Sequence, residues 1–203
     1  MKYFPSIDLV FIHIPKTAGG SIYRLLEKQV GNYIVLDGQA HGCLQDHQDF
    51  LQGNTKIFTS IRNPYDAAVS MYCSHRSKNV MEILGENNEY TRSIIRPART
   101  MSFSDWLIYY YEENRPPYRD YLLTNGWLSP KIKIVKFENL RNDLDTVLNK
   151  EFKLNIDLNE IPHAHKSERN DNSYLDYYKD RTSIDIINIK YRWTFDMGFY
   201  KRL

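Results

Sequence analysis

Ile7-Asp8-Leu9-Val10-Phe11-Ile12-His13-Ile14-Pro15-Lys16-Thr17-Ala18-Gly19-Gly20-Ser21 is the stretch on which the fold of this chain turns. The run Ile7 to Ile14 is rich in β-branched and aromatic residues and nearly continuous in apolar character, as expected of a strand buried on both faces of a parallel sheet. Pro15 stops it. Ser21 then opens a segment with Ile22, Leu25, Leu26 and Val30 at helical spacing, closed by Gly31, so the unit reads strand, tight loop, helix.

The pattern recurs outward from there. Tyr33 to Leu36 and Lys56 to Ile61 carry strand signals, and Arg62-Asn63-Pro64 marks a helix start with Asn63 as cap and Pro64 in the first turn. Ala68, Met71, Tyr72 and His75 fall on one face of that helix. Residues 79–99 are polar and aperiodic, a loop or irregular helix holding Arg92, Arg96 and Arg99. Phe103 to Glu113 suggests a helix, Ile132 to Phe137 a buried strand, Leu140 to Phe152 a helix and Tyr174 to Tyr191 further helical patterning. Strands alternating with helices predict an α/β fold of three-layer, P-loop type, with a central parallel β-sheet flanked by helices and right-handed crossovers. No repeat or linker divides the 203 residues, so a single domain, 1–203, is expected.

Composition narrows the function. Hydrophobic residues make up 42% and aromatic ones 14%, enough packing material for an ordinary globule. Lysine and arginine (27) barely outnumber aspartate and glutamate (25), so no global field favours nucleic acid and any anion site is local. Cys43 and Cys73 lack metal-type spacing and read as buried thiols. The apolar run near the start, interrupted by Asp8 and His13, is too short and polar for a signal peptide or membrane span, and a cytoplasmic setting is expected.

The loop between the first strand and helix is where an anion would dock, because free backbone N–H groups and the helix dipole face outward there. Gly19 and Gly20 let the backbone approach a phosphate, Lys16 adds a point charge, and Thr17 and Ser21 add hydroxyls. In an ATP- or GTP-binding loop the lysine follows the last glycine, whereas here Lys16 precedes both. Arg62, at the end of a predicted strand, and Ser70, two helical turns after Asn63, offer a bidentate fork and a hydroxyl to a second phosphate.

Pro15-Lys16-Thr17-Ala18-Gly19-Gly20-Ser21 resembles the 5′-phosphosulfate loop of sulfotransferases that use 3′-phosphoadenosine 5′-phosphosulfate (PAPS), in the form shared by carbohydrate sulfotransferases of the heparan 2-O and chondroitin type and small bacterial relatives. Ile61-Arg62-Asn63-Pro64-Tyr65-Asp66-Ala67-Ala68-Val69-Ser70 is similar to the 3′-phosphate motif of the same family, with Asn63 where aspartate is more common. Weaker likeness extends to Ile134 through Leu140 and to Asp196, Phe199 and Tyr200. The resemblance implies PAPS as donor and adenosine 3′,5′-bisphosphate as product, held by Lys16, Thr17, Ala18, Gly19, Gly20, Ser21, Arg62 and Ser70. Lys16 would contact the bridging oxygen and sulfate, and Lys166, Ser167 and Arg169 would close over the nucleotide. No metal is demanded. The acceptor is a hydroxyl, tilted by the resemblance toward a saccharide.

The acceptor proton needs a base, and histidine has the most suitable unperturbed pKa. His41, between the two motifs, lies where the heparan 2-O type places a catalytic histidine; His47, His163, His165 and Asp37 are its rivals. His163 and His165 also have the look of metal ligands, without a third in view. Tyr109, Tyr110 and Tyr111 with Arg92, Arg96 and Arg99 read either as an acceptor cleft or as a packed helix face with solvated arginines. Two other readings stay open: a P-loop kinase-like phosphotransferase and a noncatalytic module that binds PAPS or its bisphosphate product.

Overall fold

The structure, a computed structural model, describes residues 1–36, 42–77, 88–112, 121–124, 127–162, 169 and 173–203. Two compact units make up the chain, one of Met1–Arg62 with Tyr118–His165 and one of Asn63–Pro117 with Lys166–Leu203.

The first unit is built on a five-stranded sheet. β1 (Lys2–Phe4), β2 (Leu9–Ile12), β3 (Ile34–Val35), β4 (Lys56–Ile61) and β7 (Ile132–Lys136) lie in the order β3-β1-β2-β4-β7. The three central-to-edge strands β2, β4 and β7 run parallel, in the register Phe11↔Phe58 and Thr59↔Ile134. The sheet as a whole is mixed, which corrects the expectation of a parallel one: β1 is antiparallel to both β2 and β3. The cause is local. Pro5–Ile7 forms one 3-10 turn, and Asp8, at φ 47°, donates its N–H to the Pro5 carbonyl, so Phe4 comes back against Leu9 as a hairpin. β5 (Leu123–Thr124) and β6 (Trp127–Leu128) form a separate two-stranded ribbon.

α1 (Gly19–Val30) and the helical segment Leu140–Leu144, continued in π-helical form over Asp145–Glu151, pack on one sheet face. Ile22, Leu25 and Leu26 of α1 meet Phe4, Leu9, Phe11, Phe58 and Val135 of the strands and Leu144, Val147 and Leu148 of the later helix. Each such fully buried side chain contributes about 1.5–3 kcal/mol. The α1 spacing at i, i+3, i+4 is what the sequence predicts, but the helix starts two residues earlier, at Gly19 rather than Ser21. The short α2 (Asp49–Gln52) is capped by Lys131, whose ammonium donates to the Phe50 carbonyl at 2.8 Å and also to that of Gly53.

The second unit is helical and aromatic. Its centre is α3 (Pro64–Arg76), with Tyr65, Ala68, Val69, Tyr72 and Cys73 among its buried residues. Asn63 caps it as expected, its side chain accepting from the Tyr65 N–H at 3.0 Å, with Pro64 opening the first turn. Trp106, on the helix Phe103–Glu112, is fully buried and stacks on Tyr110 at 4.7 Å, with Tyr72 5.2 Å away. Residues 91–100 form a π-helical turn followed by a short α-helix, and the C-terminal pattern resolves into a 3-10 turn, Tyr174–Tyr177, and an α-helix, Arg181–Lys190. Among the described residues, no helix is long and apolar enough to cross a membrane.

Candidate anion-binding site

β2 ends at Ile12, and after a six-residue loop α1 begins at Gly19. Within that loop Lys16 sits at φ 64° and Ala18 at φ 68°, both in the left-handed region that side chains other than glycine avoid. Each costs about 1 kcal/mol or more, and such strain concentrates where ligands bind. Left-handed residues on either side of Thr17 turn the chain sharply between β2 and α1. Here the structure departs from the sequence expectation. Gly19 and Gly20, expected to wrap a phosphate, lie in the first helical turn, and the left-handed backbone falls on Lys16 and Ala18.

The loop is braced from below and from the side. Thr17 is fully buried, donates its hydroxyl to the Ile14 carbonyl at 2.9 Å and shares a 2.9 Å hydrogen bond with the Ser60 hydroxyl of β4. Its hydroxyl therefore fixes the loop to the sheet. Arg62, only 9% exposed, donates to the Lys16 carbonyl at 3.2 Å and lies over the Phe137 ring at 4.0 Å. The two sequence motifs are thus joined through Arg62 and Lys16. Ser21 is buried in the first turn of α1, and that turn carries no acidic side chain to oppose an anion.

His13 follows β2 and packs against α1 beside the loop. Its imidazole lies parallel to the Phe11 ring at 5.8 Å and against Tyr23 at 5.9 Å, with its edge on the α-carbon of Gly19. No spacing rule ties a histidine to a glycine six residues on, so this packing is not legible in the sequence. Near it, Lys2 is 4% exposed with its ammonium 4.4 Å from the Tyr23 ring and 4.1 Å from that of Tyr33. Burial pulls its pKa below the ordinary lysine value, against a smaller opposing pull from Glu27.

In the second unit Ser70 is buried on α3. Arg169 forms an ion pair with Asp66 at 2.5 Å and donates to the Asp66 carbonyl at 3.1 Å. Tyr109 donates to the Ser93 carbonyl and Tyr111 to the Tyr191 hydroxyl, both at 2.7 Å, so these two tyrosines are held in packing contacts. Arg92 and Arg96 are exposed and Arg99 is half-buried. His41, Asp37, Lys166, Ser167, His163 and His165 lie outside the described residues. Among the described residues no group of three His, Cys, Asp or Glu side chains is placed to hold a metal ion.

No known protein family, curated protein or solved structure matches this chain.

Proposed function

We propose that this chain is a PAPS-dependent sulfotransferase of P-loop type that transfers a sulfuryl group to an acceptor hydroxyl, that of a saccharide being favoured by the motif resemblance. The observation that carries the reading is the loop Pro15–Ala18, strained into left-handed turns at Lys16 and Ala18 and tied by Arg62 through the Lys16 carbonyl. A preorganised cradle of this kind lowers the barrier because its dipoles need not reorient as charge develops.

In the proposed reaction the acceptor oxygen bonds to sulfur in line with the departing 5′-phosphate oxygen, which leaves with the electron pair of the broken S–O bond. Lys16 and the loop amides stabilise that developing charge, and His41 takes the acceptor proton. Arg62 and Ser70 are assigned to the 3′-phosphate by the motif alone, as are Lys166, Ser167 and Arg169 to closure over the nucleotide.

The kinase-like reading is weaker on the chemistry present. A nucleoside-triphosphate loop needs a Ser/Thr hydroxyl for magnesium, and Thr17's hydroxyl is held by Ile14 and Ser60. β4 ends in Ser60-Ile61 and β7 in Val135-Lys136, neither with an aspartate.

Calorimetry with adenosine 3′,5′-bisphosphate, followed by PAPS with a panel of saccharide and small-alcohol acceptors, tests the proposal. Saturable binding with transfer that Lys16→Ala lowers about 100-fold or more is expected. Binding without transfer to any acceptor supports the noncatalytic module, no binding removes both PAPS readings, and an absolute magnesium requirement favours the kinase.

A further inference from the structure

Both arms of the Arg169 fork close on one residue. Nη1 donates to Asp66 Oδ1 at 2.5 Å and Nη2 to the Asp66 main-chain carbonyl at 3.1 Å, across 103 positions of sequence. The remaining nitrogen, Nε, is buried. The two side chains are only 19% and 14% exposed, whereas pairs such as Lys28 with Glu160 and Arg192 with Asp196 keep both partners 38% exposed or more. A charge held this far from water acts more strongly on its surroundings than one on an open surface.

The place of Asp66 gives that charge its meaning. It stands in the first turn of α3, four residues before Ser70. Side chains at i and i+4 are neighbours on one helix face, with β-carbons about 5–6 Å apart. Ser70, 2% exposed, is the residue to which the motif gives the 3′-phosphate. A bare carboxylate one turn away would repel that phosphate, and at this distance the repulsion is worth about tenfold in affinity. Arg169 is the cation that meets the carboxylate.

We propose that Arg169 serves the nucleotide by cancelling the charge of Asp66 and not by touching the nucleotide itself. This rests on the donor-site reading above and changes the part that the motif gives Arg169 in it. Arg169 is a positioning residue that acts on the phosphate through Asp66.

The test is calorimetry with adenosine 3′,5′-bisphosphate on the full chain, at a temperature where melts show each variant folded. Arg169→Ala strands the carboxylate and is expected to weaken binding about tenfold. Asp66→Ala is expected to bind as the parent does or more tightly, and adding it to Arg169→Ala should bring the affinity back to within about threefold of the parent. Arg169→Lys keeps the charge without the two-armed grip and should also stay within about threefold. If the alanine variants do not fold, Arg169→Gln with and without Asp66→Asn makes the same comparison with side chains of matched size. Parent-like binding by Arg169→Ala overturns the proposal. So does weak binding that persists when Asp66→Ala is added: a parent-like Asp66→Ala single variant then marks Arg169 as a direct ligand, and an equally weakened one marks the pair as a structural clasp. Failure of the unsubstituted protein to bind the bisphosphate removes the donor-site reading along with it, whereas binding that ignores Arg169, or that Asp66→Ala does not rescue, removes this inference alone.

Discussion

Thr17→Val separates a brace from a ligand. Valine keeps the shape and removes the hydroxyl, which in the native chain donates to the Ile14 carbonyl and shares a hydrogen bond with Ser60, all in a fully buried position. The substitution leaves a buried carbonyl and a buried hydroxyl without that partner, and leaving such groups unsatisfied costs about 1–3 kcal/mol. At roughly 2–4 °C per kcal/mol for a chain of this size, the melting temperature should fall by about 2–12 °C. Adding Ser60→Ala removes one of the stranded groups and should recover about 1 kcal/mol, because deleting both partners is milder than deleting one. Thermal unfolding followed by circular dichroism gives the stability, and calorimetry with adenosine 3′,5′-bisphosphate at a temperature where the variant is fully folded gives the affinity. The reasoning is refuted if Thr17→Val unfolds like the parent yet binds the bisphosphate far more weakly, since the hydroxyl would then face the ligand and not the sheet.

Arg62→Lys keeps the charge but not the planar fork that bonds the Lys16 carbonyl and covers Phe137. It should lower stability by about 1–2 kcal/mol and weaken bisphosphate binding more than tenfold, as measured by denaturant unfolding and calorimetry. Lys2→Met removes a buried ammonium compensated by two tyrosine rings, and at neutral pH it should raise stability by about 1 kcal/mol. The sign follows from the lowered pKa. The folded state holds this proton less tightly than the unfolded chain, so the penalty is present at neutral pH and fades as pH rises through the lowered folded value toward 10.5. The Met variant's advantage should therefore shrink in alkaline melts. In the second unit, Trp106→Ala should cost about 3–5 kcal/mol in denaturant unfolding. Trp106→Phe should cost less than half of that, because the indole N–H has no hydrogen-bond partner among the described residues.

Legibility in the sequence followed the range of the interactions. The apolar run before Pro15, the helical spacing of Ile22, Leu25 and Leu26, and the Asn63-Pro64 helix start are each written within a few residues, and each element appears, though the strand is confined to Leu9–Ile12 because Ile7 belongs to the 3-10 turn. The antiparallel β1 was not legible. Three residues, Lys2–Phe4, carry too short a period to count, and only their pairing with β2 makes them a strand. Leu140–Phe152 shows the limit from the other side. Its spacing predicts a helix, while the change to π-helical bonding at Asp145 has no mark in the hydrophobic pattern.

By itself the sequence determined that a strand feeds a tight loop and then a helix, that a lysine precedes the glycines there, and that an arginine stands at the end of a later strand. Only the tertiary structure decided what those residues do to one another. Parallel pairing of β2 with β4 sets Ser60 beneath Thr17, 43 positions away, and Arg62 beside the Lys16 carbonyl, 46 positions away. The register of two strands is a property of the whole sheet, because each pairing is held by the burial of side chains from every neighbouring element. That is why the Thr17 hydroxyl braces the loop against the sheet, and why the left-handed turns fell on Lys16 and Ala18 while the glycines entered the helix.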